Sequence, residues 1–222
     1  MSEIKVITNI LKTNEEVTAK NKQRLDEKNI YVVNLMSSPG SGKTSILEKV
    51  IGRLKNELRI AVIEGDIYTT KDAERIEAQG VEVVQINTGG ACHLDGDMIK
   101  GALDELDLDA IDFLVIENVG NLVCPAEFEI GEDMKIAVLS TTEGNDKPLK
   151  YPLMFEKSAA VILNKVDLIE YTNFSKEEFY KDMKALNLNA KTFETSCISE
   201  QGIEELCLWI KEKIKIKRGG TI

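Results

Sequence analysis

Short runs of consecutive apolar residues recur along most of this chain, and amphipathic stretches separate most of them. Six runs predict buried strands at residues 30–36, 60–63, 81–86, 113–116, 136–139 and 159–163, and Phe193 falls in a seventh, shorter one. The stretches between them predict helices at residues 44–56, 72–79, 97–106, 175–186 and 200–215. Strands that are apolar throughout and alternate with helices are typical of a parallel sheet covered on both faces. We therefore expect an α/β fold with a mostly parallel, doubly wound central sheet.

The segment before the first predicted strand is more polar. Residues 13–29 predict a charged helix whose thin apolar face includes Val17 and Leu25. Thr13 or Asn14 would cap its start, because a short polar side chain there can accept a free backbone N–H. The segment is predicted to be a surface helix packed on the main domain.

Charge and cysteine content narrow the functional classes. The 222 residues carry a formal net charge of -10, from 38 acidic and 28 basic residues, without a basic stripe, which argues against a nucleic-acid partner. No apolar run is long enough to span a membrane, and the polar N-terminus lacks a signal-peptide core. The cysteines Cys92, Cys124, Cys197 and Cys207 lack the spacing of a small disulfide-rich domain. We expect a cytoplasmic, reduced protein whose thiols bind metal or pack in the core.

A glycine-rich segment, SSPGSGKTS at residues 37–45, connects the first predicted strand to the helix that follows. This context is typical of a phosphate-binding loop, although Ser37 replaces the usual first glycine. Its glycines let backbone N–H groups converge on phosphate oxygens, its lysine contacts the β- and γ-phosphates, and its threonine hydroxyl coordinates Mg²⁺. The predicted nucleotide-binding residues of the loop are Gly40, Ser41, Gly42, Lys43, Thr44 and Ser45.

Acidic residues close two other predicted strands. Asp66 follows the second strand and Glu117 ends the fourth, so parallel strands would bring both carboxylates to the edge of the sheet that holds the phosphate loop. We predict that they share Mg²⁺ with Thr44, and that Lys43, Asp66 and Glu117 are the catalytic residues. Gly120 is predicted to donate its backbone N–H to the γ-phosphate.

The sequence NKVD, at Asn164 to Asp167, follows the sixth predicted strand and indicates guanine recognition. The Asp167 carboxylate can accept both N–H groups on one edge of guanine, a pair of donors that adenine lacks. Lys165 would lie along the base, and Asn164 would tie the loop to its neighbours. Near the last strand, Ser196 and Cys197 are predicted to donate backbone N–H groups to the guanine carbonyl.

A second constellation, Cys92, His93 and Cys124, lies on loops at the same edge of the sheet. Thiolate and imidazole ligands favour Ni²⁺ or Zn²⁺ over Mg²⁺ or Ca²⁺. The alternative is that both cysteines are ordinary loop thiols and that His93 caps a helix. Because Glu117, Gly120 and Cys124 share one short segment, a loop that responds to the γ-phosphate would also move a metal ligand.

From about residue 31 to residue 210, the chain resembles the HypB family of hydrogenase maturation GTPases, of the SIMIBI class of P-loop NTPases. The resemblance is carried by SPGSGKT at 38–44, EGD at 64–66, GGACHL at 89–94, ENVGNLVCP at 117–125, EGNDKP at 143–148 and NKVD at 164–167. From this resemblance together with the patterns above, we predict a helical appendage at 1–29, a GTPase domain at 30–218 and a frayed C-terminus at 219–222.

The resemblance also implies a function and partners. Members of the family hydrolyse GTP, dimerise with GTP bound, and support nickel insertion into [NiFe]-hydrogenase. The implied metal site is Cys92, His93 and Cys124, often shared across the dimer, and the implied partners are the nickel metallochaperone HypA and the hydrogenase large-subunit precursor. Some members carry an N-terminal nickel-binding motif, which is not expected here because Cys92 is the first cysteine of the sequence.

Three other functions remain open at this point. A urease accessory GTPase of the UreG type would place a cysteine and a histidine around a proline, whereas Cys92 and His93 are adjacent. A small-molecule kinase would need a lid with several arginines. A plain metal-binding module would use the nucleotide only for structure.

Overall fold

One parallel sheet of seven strands forms the centre of the protein in a computed structural model, which describes residues 3–220 and side chains from Asn14 onward. The strands are β1 (Tyr31–Ser37), β2 (Ile60–Asp66), β3 (Glu82–Asn87), β4 (Phe113–Glu117), β5 (Met134–Ser140), β6 (Ala160–Asn164) and β7 (Lys191–Thr195). Their order is β3-β2-β4-β1-β5-β6-β7, and every neighbouring pair is parallel. The predicted parallel, doubly wound α/β sheet is therefore confirmed.

Helices connect the strands across both faces of the sheet. In the described part of the chain the α-helices are α1 (Glu3–Glu27), α2 (Lys43–Leu54), α3 (Lys71–Glu77), α4 (Gly96–Asp104), α5 (Cys124–Glu127), α6 (Lys147–Lys150), α7 (Pro152–Glu156), α8 (Lys176–Leu186) and α9 (Ile203–Lys217). Short 3-10 helices occupy Leu108–Ala110, Thr141–Glu143 and Val166–Tyr171. The five predicted helices correspond to α2, α3, α4, α8 and α9.

The central strand β1 shows how the two faces are packed. Tyr31, Val33 and Leu35 point to the side covered by α2 and α9, whereas Val32 lies among buried residues of α1 and α4 on the other side. Alternate residues of a strand point to opposite faces, so an apolar run in a central strand fills two layers. Asn34, on the second face, is a fully buried exception.

Helix α1 begins ten residues earlier than predicted and packs against α4. Thr13 and Asn14 lie inside it, so the predicted N-terminal cap was wrong. The reason is tertiary, since the Asn14 side chain bonds to two other segments of the protein. At the other end of α1, Arg24 pairs with Asp104 at 2.8 Å.

The last helix, α9, ends just before the end of the described residues. Helix α9 is closed by backbone bonds from Gly219 to Ile216 and from Gly220 to Lys215, while Thr221 and Ile222, in the segment predicted to fray, lie outside the described residues.

Strand β3 forms one edge of the sheet, pairs with β2 alone and is mostly half-buried. Among residues 3–220, no helix has both the length and the apolar character needed to cross a lipid bilayer.

Candidate functional site

The phosphate loop between β1 and α2 borders a cleft of about 480 Å³. Its backbone enters the left-handed region at Gly40 (φ 78°) and Gly42 (φ 99°), where other residues are strained. A methyl group on Gly42 would lie 2.4 Å from Nδ2 of Asn164. Both loop glycines are thus required by the conformation and, at Gly42, by close packing.

Lys43 and Thr44 begin α2 at the base of this cleft and are almost fully buried. The Lys43 Nζ donates to Ser37 Oγ at 2.9 Å and lies 4.0 Å from Glu117 Oε1. The Thr44 hydroxyl donates to the same Glu117 oxygen at 2.9 Å. The three predicted residues therefore meet, and Ser37, which replaces the usual glycine, orients the lysine.

Two buried carboxyl groups lie side by side where β2 and β4 end. Glu64 and Glu117 are partners in the strand register and are 3% and 2% exposed. Burial, followed by the charge of Glu117, raises the pKa of Glu64 to about 10, and burial also raises the pKa of Glu117. Neither Oε2 atom has a hydrogen-bond partner among the described residues. Such a pair is costly unless a proton or a cation neutralises it.

The surrounding donor set suits Mg²⁺, a hard cation that prefers oxygen ligands. Carboxylate oxygens of Glu64, Asp66 and Asp72 lie within 4.8 Å of one another. Asp66 is also held in place, because its Oδ1 accepts the backbone N–H of Tyr68 at 2.8 Å. With Thr44 and Glu117 beside them, these residues offer the oxygen ligands that a divalent cation requires.

Three charged residues of the cleft were not singled out from the sequence. Glu64 lies two positions before Asp66 in β2, so both side chains point to the same face of the strand. This spacing was the signal in the sequence that could have placed Glu64 in the site. Asp72 and Arg75 line the cleft from α3, a placement that only the tertiary fold reveals. Arg75 donates to the Ser45 hydroxyl at 3.1 Å and so ties α3 to the phosphate loop.

The guanine motif lies directly beside the phosphate loop. Asn164 Nδ2 donates to the Ser41 carbonyl at 2.9 Å, and Lys165 Nζ donates to the Gly40 carbonyl at 2.7 Å. Asn164 in turn accepts from Thr195 Oγ1 at 3.0 Å. The predicted tying role of Asn164 is therefore visible in its bonds, and Lys165 lines the cleft.

The remaining predicted base-binding residues, Asp167, Ser196 and Cys197, do not line the cleft, although Cys197 Sγ contacts Asn164 Oδ1. Asp167 is exposed. The pKa of the Cys197 thiol is raised chiefly by burial, and the charge of Asp167 raises it further while that of Lys165 lowers it. Ser196 donates its backbone N–H to the Gln201 carbonyl at 3.2 Å, so within this turn its N–H is already engaged.

The structure brings Cys92, His93 and Cys124 together. The two Sγ atoms are 3.0 Å apart, and Cys92 Sγ is 3.7 Å from His93 Nδ1. A hydrogen bond with Cys92 is the main reason why the pKa of Cys124 is raised to about 11, whereas burial lowers the pKa of His93. The His93 ring also stacks on Phe128, with centroids 4.0 Å apart. Cys207, by contrast, is buried in the core as predicted.

Asn118 connects the nucleotide loop to the loop that carries His93. Its Oδ1 accepts the backbone N–H groups of Leu94 at 3.1 Å and Val119 at 3.0 Å. Its Nδ2 donates to Oδ1 of Asn34, the buried polar residue of β1, at 3.2 Å. Two residues after Asn118, Gly120 lies against the phosphate loop, since a Cβ there would be 3.0 Å from Pro39 Cγ. Asn118 was not singled out from the sequence, and the available signal was Asn34, a polar residue within an apolar strand.

Comparison with known proteins identifies the family. The CobW/HypB/UreG nucleotide-binding domain matches residues 31–194. The chain is 45% identical over 208 residues to the hydrogenase maturation factor HypB of Escherichia coli, and the aligned region covers 94% of this chain and 72% of that protein. It is 43% identical over 215 residues to the hydrogenase/urease maturation factor HypB of Helicobacter pylori, and the aligned region covers 95% of this chain and 88% of that protein.

A solved structure gives the same result. The crystal structure of Helicobacter pylori HypB in complex with nickel matches with a TM-score of 0.87 and 43% sequence identity, over 91% of this chain and 95% of that chain. The resemblance read from the motifs is thereby confirmed, and it favours HypB over UreG. The chain belongs to the CobW/HypB/UreG family and, within it, to the HypB hydrogenase maturation factors.

Proposed function

We propose that this protein hydrolyses GTP and uses its nucleotide state to control a nickel ion at Cys92, His93 and Cys124 during [NiFe]-hydrogenase maturation. The observation that carries the proposal is the continuity of the two sites. A segment of eight residues runs from Glu117, which contacts Thr44, to Cys124, which contacts Cys92. Asn118, within this segment, also bonds to the backbone next to His93.

For hydrolysis, the residues at the base of the cleft have separate roles. Lys43, placed by Ser37, offsets negative charge on the β- and γ-phosphates, and the ordered Asp66 carboxylate orients the attacking water. Mg²⁺ held by Thr44, Asp66 and Glu117 would supply further positive charge at the phosphates.

Recognition of guanine falls to the exposed Asp167 beside the loop that Lys165 and Asn164 fix. Ser196 and Cys197 shape the facing turn. The carboxylate of Asp167 pairs with two donors of guanine and would be left unpaired by adenine, which gives selectivity for GTP.

For metal handling, the site offers two sulfur atoms and one imidazole nitrogen, which suit Ni²⁺ and also Zn²⁺. The nickel in the Helicobacter pylori relative supports nickel as the cargo. Three ligands leave a coordination position for a second subunit or another protein. A GTP-dependent homodimer, a HypA-type metallochaperone and the hydrogenase large-subunit precursor are the partners that the family suggests.

The first experiment is a Ni²⁺ titration with mass measured by light scattering, in Mg²⁺ with a slowly hydrolysed GTP analogue and in Mg²⁺ with GDP. We expect a dimer in the GTP-analogue state and a different Ni²⁺ affinity or stoichiometry in the two states. Equal mass and equal Ni²⁺ binding in both states would refute nucleotide control of the metal.

Two variants test the sites separately. Lys43→Ala should abolish GTP hydrolysis, and Cys92→Ala should lower Ni²⁺ stoichiometry, whereas the core variant Cys207→Ala should retain it. Normal hydrolysis in Lys43→Ala, or unchanged stoichiometry in Cys92→Ala, would contradict the assignment.

A further inference from the structure

Three polar residues of α1 form one stripe that hydrogen-bonds to two other segments. Asn14, Thr18 and Asn21 are spaced by four and three positions and therefore share a face of the helix. Thr18 is 8% exposed and Asn21 is 1% exposed. Asparagine and threonine are poor helix formers, and a buried amide is costly without partners, so the bonds they make account for their presence here.

The bonds of this stripe end on two backbone positions. The Asn14 amide accepts the Gly96 N–H at 2.7 Å and donates to the Glu129 carbonyl at 3.1 Å, so a single side chain bridges both. Thr18 Oγ1 donates to the same Glu129 carbonyl at 2.9 Å, and Asn21 Nδ2 donates to the Gly96 carbonyl at 2.8 Å.

These two positions are the bases of the loops that carry the metal ligands. Gly96 starts α4 three residues after His93, and Glu129 follows Phe128, the ring on which His93 stacks. The approach is close, because a Cβ on Gly96 would lie 2.8 Å from Thr18 Oγ1. The stripe therefore fixes the distance between the loop of Cys92 and His93 and the loop of Cys124.

Other contacts hold these segments at different points. The buried Lys135 of β5 holds the Cys124 side, by donating to the Ala126 carbonyl at 3.3 Å and pairing with Glu129 at 3.0 Å. Asn118 holds the His93 side through Leu94. Among the described residues, Asn14 is the side chain whose polar atoms bond to the backbone of both segments.

We infer that α1 is a positioning element of the metal site and that its stripe of Asn14, Thr18 and Asn21 sets the spacing of the ligands Cys92, His93 and Cys124. The inference rests on the proposed metal function, but it adds a helix that contributes no residue to the lining of the cleft or to the Cys92, His93 and Cys124 cluster. Loss of groups that orient ligands typically costs about tenfold or more in metal affinity.

The test compares two double variants along one segment of the chain. Asn14→Ala with Thr18→Val removes the bridge, whereas Arg24→Ala, in the last turn of α1, with Lys28→Ala, just after the helix, removes the ion pairs with Asp104 and Asp109. Each is measured for Ni²⁺ affinity by competition with a chromophoric chelator, for the Ni²⁺–thiolate absorption band, for melting temperature and for affinity for a fluorescent GDP analogue.

We expect the stripe variant to bind Ni²⁺ about tenfold more weakly with a shifted absorption band, and the ion-pair variant to stay close to wild type. Both should bind the GDP analogue normally, and Thr18→Ser, which keeps the hydroxyl, should retain Ni²⁺ affinity. Equal Ni²⁺ affinities and spectra in the two double variants would overturn the inference. Failure of the proposed function has a different signature, since the wild-type protein would then bind Ni²⁺ no better than Cys92→Ala.

Discussion

Asn118→Ala gives the sharpest test of the link between the nucleotide loop and the His93 loop. The substitution removes the acceptor of the Leu94 and Val119 N–H groups and the donor to Asn34, at a site that is 1% exposed. Each orphaned buried group costs about 1–3 kcal/mol. Water can enter the small space that the amide leaves, so we take the low end and expect a loss of about 3 kcal/mol in the free energy of unfolding.

The assay is urea denaturation followed by circular dichroism, with Asn121→Ala as the matched control. Asn121 belongs to the same loop, and its Oδ1 accepts the N–H groups of Val123 and Cys124 at a partly exposed position. Water can replace those bonds, so the control should lose only about 1 kcal/mol. If Asn118→Ala lost no more than Asn121→Ala, the buried bonds of Asn118 would not be holding the two loops together.

A functional readout follows from the same bond. Without the contact between Asn118 and Leu94, the ratio of Ni²⁺ affinities in the GTP-analogue and GDP states should move towards one. An Asn118→Ala protein that is less stable yet keeps the wild-type ratio would show that coupling runs through the chain from Glu117 to Cys124 alone.

Three further substitutions test other parts of the structure. Gly42→Ala should lower affinity for a fluorescent GDP analogue by more than about tenfold, because its Cβ would clash with Asn164 in a left-handed backbone; normal binding would contradict the loop geometry. Asp112 accepts bonds from Arg59, which hold its pKa well below the ordinary value, so its stabilising effect is complete above the unfolded pKa of about 4 and declines as the pH falls from there towards the depressed folded pKa. Asp112→Asn should therefore cost about 2 kcal/mol in urea denaturation at about pH 7 and a smaller amount at about pH 3, and an equal cost at both would refute the ion pair. Cys207→Ser places a hydroxyl in the core and should cost about 2 kcal/mol without changing Ni²⁺ stoichiometry; altered stoichiometry would mean that this thiol also binds metal.

Most of the fold was predictable because central parallel strands are apolar on both sides. The runs at 30–36 and 113–116 correspond to β1 and β4, which form the middle of the sheet. The short helices α5 and α7 were not predicted, since four or five residues are too few to show a helical period. The start of α1 was misplaced because Asn14 has the chemistry of a cap, whereas tertiary bonds give it another role.

The site was predictable where a motif has a fixed local geometry. The phosphate loop and the NKVD segment combine residue type with a defined position after a strand, and the structure brings them into contact. Glu64, Asn118 and the stripe of α1 act through partners that lie far away in the sequence. Apart from the alternation of Glu64 with Asp66, such single polar residues carry no local pattern, so their contribution becomes visible only when the sheet assembles the partners.

The position of β3 has a consequence for the lifetime of a bound metal. The loop that carries Cys92 and His93 leaves a strand at the sheet edge, which shares its ladder with β2 alone. Edge segments with few buried contacts open locally at a free energy well below that of global unfolding. Cys124, in contrast, follows the buried strand β4 near the centre of the sheet. Under the proposed function, release of the ion is thus expected to begin at Cys92 and His93, while Cys124 stays bound, so that transfer to an acceptor would proceed one ligand at a time from the edge of the protein.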